Sequence, residues 1–94
     1  MTLAITHDKD RGQFVAIVDG KTATLKYSIL ADEKILDYYS TFVPSELQGR
    51  QIGQELAKFA LDFAADNGYQ VIPTCSFIEQ FIKRHPEYKK LVAS

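Results

Sequence analysis

Between Val43 and Gly53 the pattern of this chain changes period. Upstream, apolar and β-branched residues run and alternate as strands do; downstream, Ile52, Leu56, Phe59, Ala60 and Phe63 recur at helical spacing. The connecting segment, Val-Pro-Ser-Glu-Leu-Gln-Gly-Arg-Gln-Ile-Gly, carries a proline and two glycines. A helix entered through such a loop presents free backbone N–H groups and the positive end of the peptide dipole, which together bind phosphate. The same residues also read as a tight connection in which Gly49 and Gly53 only relieve crowding. Either way, strands precede this point and a helix follows it, which restricts the fold to an α+β class.

The strand side reads as a meander. Leu3–Thr6 is a short strand, and Asp8 to Gly12 form a polar turn. Phe14–Val18 is an apolar run rich in β-branched residues. Asp19-Gly20 is a hairpin signal, because a type I′ turn needs positive φ at both positions. Lys21–Ile29 follows, with Ala23, Leu25 and Tyr27 on one face and Thr22, Thr24 and Lys26 on the other. Ala31, Asp32 and Glu33 turn again into Lys34–Val43, a fourth strand that Pro44 stops.

Ser45 and Gln48 have capping-box spacing, but Gly49 costs about 1 kcal/mol inside a helix. The reading is therefore a loop or single turn over 44–50 and a main helix from about Gln51, ended by Asn67-Gly68. Tyr69–Cys75 returns as a fifth strand, parallel to the fourth and interrupted by Pro73. Proline cannot donate to a ladder, so the two strands are expected to pair briefly and then diverge, opening a wedge beside the 44–53 loop. Ser76-Phe-Ile-Glu79 has the form of a capping box for a last helix ending before Pro86, with Ile78, Phe81 and Ile82 inward. Tyr88–Ser94 reads as a short tail, and Tyr38, Tyr39, Tyr69 and Tyr88 as packing residues with wet hydroxyls.

The 94 residues suit one domain, expected over 1–94, that buries about two-thirds of its unfolded surface. A net charge of −1 offers no broad basic field for nucleic acid or an anionic membrane. No apolar run is long enough for a membrane span and no signal-peptide pattern opens the chain. One cysteine makes no internal disulfide, which fits a reducing compartment, so a cytoplasmic location is expected. His7, His85 and Cys75 are too few and too scattered for a zinc set, so no metal is expected.

Cys75 is open to two readings. Lone cysteines are often buried and inert. A cysteine at a helix start, however, is stabilised as thiolate. Lys83, Arg84, Lys89 and Lys90 suit a solvated helix end or the grip of a remote nucleotide phosphate. His85 reads as a surface residue or a general base. A phosphate cradle followed by an activated thiol points to acyl chemistry on a nucleotide thioester.

The order of meander, glycine loop, helix, strand and final helix resembles the GNAT acetyltransferase superfamily. Gln48-Gly49-Arg50-Gln51-Ile52-Gly53 is similar to its pyrophosphate motif, Q/R-x-x-G-x-G/A, with Gln48 and Gly53 matching and Gln51 where the first motif glycine is expected. Val43-Pro44, Val71-Ile-Pro-Thr-Cys-Ser-Phe77 and Arg84-His-Pro-Glu-Tyr88 resemble a short, single-domain N-acetyltransferase branch about as long as this chain.

The resemblance implies acetyl-CoA between splayed strands, with its pyrophosphate on the loop amides and Cys75 at the branch's active-site cysteine position. Thr41, Phe42 and Val43 would then bind the pantetheine arm as an added strand, and Gln48, Gly49, Arg50, Gln51, Ile52, Gly53 and Gln54 would form the pyrophosphate cradle. The expected reaction is acetyl transfer to an unidentified amine, directly or through acetyl-Cys75. A CoA- or acyl-CoA-binding module without turnover and a small protein-interaction domain are the rival readings. Monomer and homodimer are both compatible, since the outer edge of the meander is free to pair with a second copy.

Overall fold

Tight turns with positive φ set the register of the meander. The computed structural model describes residues 3–30, 32 and 34–93. Four antiparallel strands, β1 (Ile5–Asp8), β2 (Gln13–Val18), β3 (Lys21–Leu30) and β4 (Ile35–Phe42), are followed by a 3₁₀ turn (Ser45–Leu47) and helix α1 (Ile52–Asp66). Strand β5 (Gln70–Ile72), helix α2 (Ser76–Arg84) and a 3₁₀ helix (Pro86–Leu91) complete the order. Asp19 and Gly20 take φ values of 52° and 74°, so the β2–β3 hairpin closes as its dipeptide dictates. Ala31 and Glu33, expected to turn, and Ser94, expected in the tail, lie outside the described residues.

The sheet order is β1-β2-β3-β4-β5, antiparallel except for the β4–β5 pair. One face is covered by α1. Phe14, Ala16, Ala23, Leu25, Tyr38 and Val71 are wholly buried there against Leu56, Ala57, Ala60, Leu61 and Ala64. Phe59 and Phe63, expected within the inward stripe, sit at its margin, and Phe59 keeps 39% of its surface exposed. The helix is turned by about a fifth of a revolution from the arc that the largest side chains define. This places alanines against the sheet, where they permit close approach. Phe63 instead caps the core's flank, stacked on Tyr69 at 5.9 Å and edge-on to His7 at 4.6 Å.

Four further expectations are corrected. Strand β1 begins two residues later than expected and includes Asp8. Strand β5 is three residues long rather than seven, because Pro73 ends the ladder early. The segment after Pro86 is folded: Tyr88 and Leu91 are buried, and the Ala93 N–H donates to Val71 O at 2.9 Å, beside a bridge between Val71 and Val92. Tyr38 is wholly buried rather than wet at its tip, its hydroxyl donating to Ala60 O at 2.6 Å.

The parallel ladder holds only Ile35–Gln70, Leu36–Val71 and Asp37–Ile72. The Cys75 N–H then donates to Tyr38 O at 2.9 Å, and beyond it the chains separate. Strand β4 carries a bulge at that level. Tyr27 opposes Tyr38, the next pair is Lys26 with Ser40, and Tyr39 is left over. An extra residue reverses the parity of a strand. Past the bulge, Thr41 and Val43 rather than Ser40 and Phe42 border the gap. Phe42 lies opposite Thr24 on the far face, 58% exposed.

Candidate functional site

The loop after β4 solves a geometric problem at the helix start. The Leu47 and Gln48 N–H groups close the 3₁₀ turn on Pro44 O and Ser45 O. Gly49 follows at φ 85°, and Gln51, the residue before α1, takes φ 63° and ψ 21°. A non-glycine residue in left-handed geometry is uncommon and costs conformational energy. Gln51 therefore holds the glycine-like backbone of the motif without the glycine. The first helical bond runs from Glu55 N–H to Gln51 O. The N–H groups of residues 49–54 meet no acceptor among the described residues.

This loop and the first helical turn border a groove of about 310 Å³ lined by Thr41, Val43, Leu47, Gln48, Gly49 and Gln51 to Gln54, together with Phe77. Eight of the ten residues expected to hold the cofactor line it. Phe42 does not, for the parity reason given above. Arg50 does not either: its guanidinium turns away to Asp19 at 2.9 Å. A second exposed pair, Lys21 with Glu46 at 3.4 Å, also ties the β2–β3 hairpin to this loop. The Gln48 side chain donates to Val43 O at 3.1 Å, bracing the loop against the strand end.

Gly53 is needed for space rather than for φ. A Cβ placed there would lie 3.0 Å from Phe77 Cζ. The Phe77 ring therefore rests on the first turn of α1 and walls the groove. Sequence reasoning missed Phe77 and Leu47. The available signal for Phe77 was an aromatic side chain lying off the Ile78–Phe81–Ile82 stripe.

Cys75 sits at the inner end of the gap, half-buried. It is itself the N-cap of α2, with Ser76 the first helical residue, so the expected Ser76–Glu79 capping box does not form. The thiol donates to Thr41 Oγ1 at 3.5 Å. Burial opposes ionisation of Cys75. Against it stand the Thr41 hydroxyl and the backbone N–H groups of Ile78, Phe77 and Thr41, which face the sulfur and hold its pKa below the ordinary thiol value. The donors at the helix start are those that an N-cap side chain addresses. The bulge supplies the Thr41 N–H.

Lys83, Arg84, Lys89 and Lys90 are exposed on and after α2. His85 stacks on Phe81 at 4.2 Å, two helical turns or more from the sulfur in sequence. Among the described residues no cluster of three His, Cys, Asp or Glu is placed to hold a metal ion, and no helix is long and apolar enough to cross a membrane.

A row of unengaged N–H groups and the end of β4 border one groove, and the Cys75 thiol touches Thr41 on the wall of that groove. Comparison with known proteins gives the family and the fold. The profile of the family described as GCN5-related N-acetyl-transferase matches residues 13–91. Protein NATD1 of Danio rerio is 37% identical over 90 residues, covering 92% of this chain and 81% of that protein. Protein NATD1 of Homo sapiens is 34% identical over 86 residues, covering 89% and 75% respectively. The solution structure of a GCN5-like protein from Staphylococcus aureus superposes with a TM-score of 0.74 at 23% identity, covering 98% of this chain and 89% of that one, which establishes the fold. The chain belongs to the GCN5-related N-acetyltransferase (GNAT) family.

Proposed function

We propose that this protein is an acetyl-CoA-dependent N-acetyltransferase whose acetyl group passes through Cys75. The observation that carries the reading is the row of unengaged N–H groups at 49–54, set beside a sheet gap with a thiol of lowered pKa at its end. The N–H groups receive the CoA pyrophosphate, aided by the positive end of α1. The Thr41 and Val43 backbone lines the gap where the amide-bearing pantetheine arm runs as an added strand. The thioester carbonyl then lies against Cys75.

The chemistry balances in two steps. The Cys75 thiolate attacks the thioester carbonyl carbon, the bond from that carbon to the CoA sulfur breaks, and the CoA thiolate leaves to take a proton from solvent. A primary amine next attacks the acetyl-Cys75 carbonyl, loses its proton to solvent, and expels the Cys75 thiolate. Splitting one acyl transfer into two gives the thiol a task that direct attack by the amine would not require. The donors around the sulfur favour its anionic form both before attack and as leaving group.

Intact-mass measurement after incubation with acetyl-CoA tests the reading. The expected result is a mass gain of one acetyl group that is absent in Cys75→Ser and is discharged by an amine. Calorimetric binding of CoA with neither adduct nor turnover would assign a binding module instead. No heat of binding at all would remove the cofactor from the account.

A further inference from the structure

A second groove, of about 340 Å³, continues from the first past Gln54 and Phe77, which line both. It runs along α2 to Gln80, Phe81, Arg84 and His85. Its floor is aromatic: the Phe77 ring at one end, and at the other His85 stacked on Phe81 at 4.2 Å with an interplanar angle of 29°. Its far end is cationic. Arg84 is exposed, and among the described residues no carboxylate pairs with it. By contrast, Arg11, Lys21, Arg50 and Lys58 are each engaged by an acid. A flat apolar floor that ends in an unpaired guanidinium matches a purine ring joined to a phosphate.

Resting on the acetyl-CoA reading above, we propose that this groove seats the 3′-phosphoadenosine end of the cofactor, with the adenine against the Phe77–Phe81–His85 surface and the 3′-phosphate on Arg84. The path is continuous. From the pyrophosphate on the 49–54 amides the nucleotide leaves past Gln54 and Phe77 and follows α2 toward its C-terminus. Seven residues separate Phe77 from Arg84, about 10 Å of helix, which leaves room for a ribose and its base between the two. Arg84 suits a phosphate because its planar fork donates two parallel bonds. This assigns a discriminating role to a residue outside the motif loop: selection of CoA over forms of the cofactor that lack the 3′-phosphate.

The test is calorimetric titration of the full chain with CoA and with 3′-dephospho-CoA, for wild type, Arg84→Gln and Lys83→Gln. Wild type is expected to bind CoA about tenfold more tightly than 3′-dephospho-CoA, the scale of one charge-assisted contact at a partly open site. Arg84→Gln is expected to lose that preference while its affinity for 3′-dephospho-CoA stays at the wild-type value. Lys83→Gln, whose side chain does not line the groove, is expected to keep the preference. Equal wild-type affinities for the two forms, or a preference that survives in Arg84→Gln, overturns the assignment and leaves the acetyl-CoA reading standing. Failure of wild type to bind either form refutes the acetyl-CoA reading, and this inference with it.

Discussion

Gly53→Ala puts the cleft geometry under direct test. Gly53 lies in the first turn of α1 with helical backbone, so alanine gains up to about 1 kcal/mol of helix propensity. The same Cβ would stand 3.0 Å from Phe77 Cζ, tighter than ordinary contact, and Gly53 is buried. Overpacking of this kind typically costs about 1–3 kcal/mol. The net expectation is a loss of about 0–2 kcal/mol, read as a melting-point drop of about 4–8 °C per kcal/mol for a domain of this size.

Phe77 lines the groove, so on the proposed acetyl-CoA reading a displaced ring is expected to lower CoA affinity as well. A double-mutant cycle separates the causes. In a Phe77→Leu background the Cζ atom is gone, and Gly53→Ala is expected to become stabilising by its propensity gain and to leave affinity unchanged. Thermal melts and CoA titrations on the four proteins complete the cycle. If Gly53→Ala raises the melting point of the wild type, or weakens CoA equally in both backgrounds, Phe77 is not what the glycine accommodates.

Other predictions follow from the same geometry. The rate of Cys75 alkylation by iodoacetamide is expected to rise through an inflection below the pH of a free cysteine, and Thr41→Val should move it upward; superimposable profiles would refute the Thr41 contact. Because the folded thiol pKa is depressed, its contribution to stability is fully present above the unfolded value, about 8.5, and is lost as pH falls through the folded value. Wild type should therefore gain stability relative to Cys75→Ser as pH rises across that window, measured by urea melts; a flat difference would refute the linkage. Tyr38→Phe removes a buried bond to Ala60 O and should cost about 0.5–1.5 kcal/mol, since that carbonyl keeps its place in the helix ladder; no loss in a denaturant melt would show the bond to be idle. Asp19→Asn frees Arg50 for the pyrophosphate and should tighten CoA binding while changing stability by less than about 1 kcal/mol, as for other exposed pairs. An unchanged dissociation constant would show that Arg50 does not reach the ligand.

The sequence by itself determined what depends on neighbouring residues. Asp19-Gly20 had to turn because its backbone tolerates positive φ, and Pro73 had to shorten the parallel ladder because it lacks an N–H. The helix from Ile52 and the glycine-bearing loop before it were legible from composition and spacing, as was Cys75 at a helix start. Tertiary structure decided whatever depends on residues far apart. Thr41 reaches Cys75 across 34 residues, and Asp19 draws Arg50 out of the cleft across 31. The bulge at Tyr39 turned the Thr41 backbone inward and Phe42 outward, a one-residue offset visible only in the pairing of β3 with β4. The rotation of α1 onto its alanines and the contact of Phe77 on Gly53 arise the same way. Local pattern specifies which backbone a segment adopts; only the packed sheet, with its fixed parity and close approaches, specifies which side chain each segment presents to the gap.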